Sequence, residues 1–189
     1  MSRYELTRWS GLAGLVSGLL IITGAVSTAF VEPAVSGTLF VSGHILLFFL
    51  LTGVYGITHA YTGIIGLSGY VLSIIGNALF VAIQLIHSFV ISGIENTWVL
   101  GAMDLVSPII PAAIPVTGLV FTTGLLLFAI ANTRVRALST WPGWLMFAGM
   151  ALNILLPRVL SDAPDQVLAI PPIMLGLGVA GFGWGLRRD

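Results

Sequence analysis

The chain contains no cysteine and no lysine. The first absence excludes disulfides, thiolate metal sites and cysteine nucleophiles. The second excludes Schiff-base chemistry on a lysine. Charge is scarce as well: Asp, Glu, Lys and Arg together make up 7% of the 189 residues, against about 25% in an ordinary soluble domain. So few charges cannot cover the surface of a water-soluble fold. The seven basic residues, all arginine, balance seven acids to a net charge of zero. No basic stripe exists to neutralise phosphates, so nucleic acid is not an expected partner. Catalytic signatures are missing too. There is no G-x-S-x-G, no P-loop and no pair of carboxylates within an apolar run.

What is present is apolar sequence. Hydrophobic residues make up 57% of the chain, and the mean hydropathy is +1.07. A helix crosses roughly 30 Å of hydrocarbon with about 20 mostly apolar residues. Six stretches meet that requirement and predict an all-α membrane bundle forming one domain over 1–189, with helices at about 9–29, 38–59, 64–92, 113–132, 141–157 and 167–186. The first run has small residues, Ser27 and Ala29, where a signal peptidase would cut, but its length fits a span better than a leader. The third apolar run, from Thr62 to Gly93, is too long for one span. Its glycine-rich start is either a turn or part of a long, tilted helix. Segment 94–112, with Glu95, Asn96, Asp104, Pro108 and Pro111, is too polar and broken to span. It reads as an interfacial helix over about 97–106 and a proline-stiffened entry to the next span.

Orientation follows from the arginines, which concentrate on the cytoplasmic side of membrane proteins. With six spans, Arg3, Arg8, Arg134, Arg136, Arg187 and Arg188 fall on one side and Arg158 on the other. Five of the seven acids, Glu32, Glu95, Asp104, Asp162 and Asp165, fall opposite the arginine-rich side. The expectation is a multi-pass protein of the cell membrane with cytoplasmic N- and C-termini. Trp9, Trp141, Trp144 and Trp184 lie at inner helix ends and Trp98 in an outer loop, as interfacial anchors do. Gly14/Gly18 and Gly181/Gly185 form GxxxG pairs, which let helix backbones approach in lipid. Packing within the bundle is their first reading and a homo-oligomer the second. No inverted repeat of the kind found in transporters is evident.

Polar side chains inside a membrane are functional candidates by default. Tyr70, Ser73, Asn77, Gln84 and Ser88 recur at helical spacing and form one stripe on the third helix, with His87 on its flank. Thr52, Thr117, Thr122, Thr123 and Asn153 are placed to face that stripe. Interhelical hydrogen bonds that hold the bundle together are the plain reading. A polar cavity for a small ligand, lined by Tyr70, Ser73, Asn77, Gln84 and His87, is the sharper one. His44 and His87 fall at one depth if the turn between their helices centres near residue 65, and two level histidines can ligate a b-type haem. A metal site joining His44 and His87 to Glu32, Glu95 or Asp104 lacks any of the usual ligand spacings. His59 reads as an interface residue, and Arg158 as a surface ion-pair partner.

The stretch GVYGITHAYTGIIGLSGYVLSIIGNALFVAIQLIHSFV, from Gly53 to Val90, carries Gly-Leu-Ser-Gly-Tyr and Gly-Asn-Ala-Leu-Phe. With the six-helix layout, it resembles small prokaryotic membrane proteins of the DUF4386-like kind. That resemblance implies a multi-pass fold and no particular activity. Three functions stay open: a non-enzymatic bundle that binds a small ligand or membrane lipid or serves as accessory subunit of a larger membrane complex, a haem-based electron-transfer protein using His44 and His87, and a small permease.

Overall fold

The computed structural model describes residues 3–28, 33–86, 109–133, 135, 139–159 and 164–188. All regular structure among them is helical: α1 (Arg3–Ser27), a continuous run Pro33–Leu85, α4 (Ile109–Asn132), α5 (Trp141–Val159), α6 (Asp165–Leu168) and α7 (Ile170–Arg188). The long run is two helices. Gly63 has φ 55° and ψ −149°, a backbone region open essentially to glycine alone. We number the half over 33–62 as α2 and the half over 64–85 as α3. They fold back on each other: His44 is bonded to Asn77, and Tyr55 stacks on Tyr70. The glycine-rich start of the third apolar run is therefore a tight reversal at its first glycine.

Each long helix is antiparallel to the next long helix. Gly24 lies against Phe40 and Gly43 against Ser17 and Ile21, which sets α1 on α2. Gly69 meets Phe128 and Gly76 meets Phe121, which sets α3 on α4. Gly118 meets Ile154 and Gly143 meets Ala129 between α4 and α5. Gly149 against Leu175 and Gly178 against Met146 join α5 to α7. Finally α7 returns to α1 and closes the ring. At that last crossing Gly14 and Gly18 meet Gly183 and Gly176, whereas Gly181 faces Trp141. The small residues of α7 that let α1 approach are thus seven apart, two turns along one face.

Large apolar side chains from α1, α2, α4, α5 and α7 fill the centre, among them Ile21, Leu47, Leu50, Phe121, Phe128, Met146, Val179 and Phe182. The outside is apolar as well: Leu19, Phe49, Ile64, Leu119 and Leu155 are exposed. Among the described residues, and counting 33–85 as one, three helices are long and apolar enough to cross a membrane. Trp9, Trp141, Trp144 and Trp184 are all exposed. The antiparallel order places them at one end of the bundle, together with the Gly63 reversal.

Several boundaries differ from expectation. α1 starts at Arg3, about six residues before the apolar run, because Glu5 and Arg8 are compatible with a helix that emerges from the apolar layer and Glu5 favours its N-terminal dipole. α4 starts at Ile109, so Pro115 lies inside it rather than in its first turn. The last apolar run is divided into α6 and α7. Pro171 and Pro172 have no N–H to give to the carbonyls four residues back, and the chain turns at Ala169. Thr140 precedes α5, and its carbonyl accepts the Trp144 N–H at 3.4 Å. The 97–106 segment lies outside the described residues.

Candidate functional site

A cavity of about 410 Å³ opens at the end of the bundle opposite the four tryptophans. This is within the usual range for small-molecule sites. Five of the long helices contribute to it: the end of α1, the first half of α2, the end of α3, the second half of α5 and the start of α7. Its walls are mainly apolar, with Phe40, Phe80, Met150 and Leu175, and its rim includes Leu168, Ala169, Pro171 and Pro172 at the α6–α7 turn. Four polar side chains interrupt that surface: Thr28, His44, Gln84 and Asn153. Among the described residues, none of the lining side chains is charged.

His44 is the most constrained of these. It is 1% exposed. Its Nδ1 is 2.7 Å from Asn77 Oδ1, and Asn77 Nδ2 donates to the His44 carbonyl oxygen at 2.8 Å. A carbonyl can only accept, so the amide nitrogen must face it. This fixes which amide atom faces the ring, and Oδ1 can only accept as well. Nδ1 therefore carries the proton and donates, and in the neutral ring Nε2 keeps its lone pair. The ring also packs on Phe80, with centroids 4.4 Å apart, and meets Phe121 edge-on at 6.2 Å. One buried side chain is thus held by two helices in a single tautomer.

The polar stripe on α3 divides between three environments. Tyr70 hydroxyl is 3.2 Å from Thr52 Oγ1, and its ring stacks on Tyr55 with centroids 4.5 Å apart. Ser73 is fully buried beside Gly124 of α4, and its hydroxyl has no hydrogen-bond partner among the described residues. Asn77 is fully buried against His44. Of the five proposed ligand-binding residues, Gln84 lines the cavity, whereas Tyr70, Ser73 and Asn77 do not. His87, like Ser88, lies outside the described residues. Among the facing residues, Asn153 lines the cavity, Thr52 bonds Tyr70, and Thr117 is buried.

The residue that His44 hydrogen-bonds across the hairpin is Asn77. Sequence reasoning placed both on facing helices but did not pair them. Thr28 and the Pro171–Pro172 rim carried no sequence signal beyond helix-end composition. His59 is exposed, with Nδ1 2.9 Å from the Gly56 carbonyl and its ring 6.0 Å from Tyr55. Among the described residues no three His, Asp or Glu side chains converge. Glu32, Glu95 and Asp104 lie outside them, as does the Arg158 side chain. No protein-family model matches the chain, and no curated protein or solved structure is significantly similar to it.

Proposed function

We propose that this chain is a six-span membrane bundle with cytoplasmic termini, and that its cavity binds a small neutral amphiphile drawn from the bilayer. The observation that carries the reading is the cavity itself, an apolar chamber of about 410 Å³ with an imidazole and two amides in its wall. A ligand with its own polar end would complement the His44 imidazole and the Asn153 amide in this otherwise apolar wall. The described lining side chains are all uncharged, which favours a neutral ligand over an ionic one. The six-span reading is supported by the α2–α3 reversal, by the antiparallel order and by four tryptophans at one end. The six-to-one arginine split supports the orientation.

The test is native mass spectrometry of protein purified from membranes. Wild type should retain a small lipid-like mass that Ala169→Trp, which fills the rim, loses. Equal retention by both proteins would contradict the reading.

The second reading is haem ligation by His44 with His87. It is favoured by the His44 tautomer, because a histidine whose Nδ1–H is held by an acceptor presents Nε2 to a metal. It ranks second because the reversal lies at Gly63 and pairs His44 with Asn77, whereas a level His44–His87 pair depends on a turn near 65. An absorbance spectrum of the purified protein decides between the two readings. A Soret band lost in His44→Phe would favour haem.

A further inference from the structure

The hydrogen-bond polarity of the cavity narrows the ligand. Asn77 occupies Nδ1 of His44 and fixes it as the donor. Phe80 covers part of the ring, and Phe121 meets it edge-on. His44 nonetheless forms part of the cavity wall. From this geometry we infer that Nε2 is the atom the ligand engages, and that the ligand is a hydroxyl-bearing neutral amphiphile whose O–H donates to it. The inference rests on the cavity being a ligand site, as proposed above.

A carbonyl, ester or ether offers acceptors only, and two acceptors do not bond. Each is therefore a poorer partner for Nε2 than an alcohol. A carboxylate would be both charged and an acceptor, against described lining side chains that include no cation. The alcohol oxygen keeps lone pairs as it donates, so an amide N–H of Asn153 can donate to it in turn. The apolar chain then lies along Phe40, Met150 and Leu175. One hydroxyl thus matches both kinds of polar group in the wall. The same requirement explains the buried Asn77, because the other tautomer of His44 would turn Nε2 into a donor.

The test is photolabelling of the full chain in phosphatidylcholine nanodiscs with a diazirine-bearing long-chain alcohol. Labelled residues are mapped, and labelling is competed with 1-dodecanol or with dodecyl methyl ether. The two competitors share an apolar chain and an oxygen and differ in the O–H. The expected result is labelling at cavity residues such as Met150 or Leu175, competed about tenfold more effectively by the alcohol. One tenfold step corresponds to about 1.4 kcal/mol, the scale of a single buried hydrogen bond. In His44→Phe the preference should fall below about twofold with the chain still bound. The wild-type comparison stands alone if that variant fails to fold. Equal competition by alcohol and ether, with labelling still in the cavity, overturns the hydroxyl assignment and leaves the cavity reading intact. Labelling confined to the outer surface, unaffected by either competitor, overturns both.

Discussion

Replacing Asn77 with leucine removes two hydrogen bonds at once, the one from His44 Nδ1 at 2.7 Å and the one to the His44 carbonyl at 2.8 Å. Interhelical hydrogen bonds in membrane proteins average about 0.6 kcal/mol and reach about 1.7. Leaving a buried donor unpaired costs about 1–3 kcal/mol. Asn77→Leu should therefore destabilise the bundle by about 2–3 kcal/mol. His44→Phe keeps a ring between Phe80 and Phe121 but leaves Asn77 Oδ1 without its donor, so it should cost about 1–2 kcal/mol. In the double variant that unpaired acceptor is gone as well. The carbonyl at position 44 sits within a helix and keeps its intrahelical bond, so its loss of Asn77 Nδ2 is the same in single and double variants. The double-mutant cycle therefore isolates the side-chain bond, and we expect a coupling of about 1 kcal/mol. The assay is reversible unfolding in mixed micelles, followed by tryptophan fluorescence. Additivity within about 0.3–0.5 kcal/mol is what independent sites show. That result would refute the His44–Asn77 pairing and with it the tautomer argument.

Other expectations follow from single positions. Gly63→Ala places a Cβ in open space, so any loss is purely backbone strain, about 1–3 kcal/mol at such a φ/ψ; unchanged thermal stability would contradict a reversal at that residue. Gly18→Val should unfold or loosen the bundle, since even the first added carbon would lie 2.8 Å from Ala180 Cβ; a wild-type melting temperature would contradict the α1–α7 crossing. Tyr70→Phe removes only the 3.2 Å contact with exposed Thr52 and should cost no more than about 0.5 kcal/mol in the same unfolding assay.

The long helices were legible because each is a long apolar run in the sequence. Between α2 and α3 the antiparallel order follows from the tight reversal at Gly63. The reversal between α2 and α3 was not legible to the residue. Gly63, Gly66 and Gly69 are alike in composition, and only the backbone angles single out Gly63. Gly69 instead packs on α4 beside Phe128. That ambiguity carried into the site. A turn centred near 65 sets His44 level with His87, whereas the observed partner, Asn77, has its midpoint with His44 at 60.5. The helical stripe was read correctly as a period, but a stripe some five turns long faces several neighbours in succession. Tyr70 reaches Thr52, Ser73 meets α4, Asn77 holds His44, and Gln84 alone of the four lines the cavity. Depth along the helix, not face, decides which polar groups share a site. The α6–α7 turn was hidden because Ile170, Pro171 and Pro172 raise the hydropathy of the run they interrupt.

The absence of cysteine makes one measurement especially direct, since any thiol introduced is the only one in the chain. Asn153→Cys puts a thiol in the cavity wall, and Val159→Cys, at a position 75% exposed on the same helix, serves as the outside reference. Both are treated with a neutral, membrane-permeant maleimide with and without 1-dodecanol. If the cavity holds a neutral hydroxylated amphiphile, the position-153 thiol reacts in the absence of the alcohol and is protected by it, while the reference thiol is unaffected. A position-153 thiol that never reacts, or that reacts equally with and without the alcohol, would contradict the account.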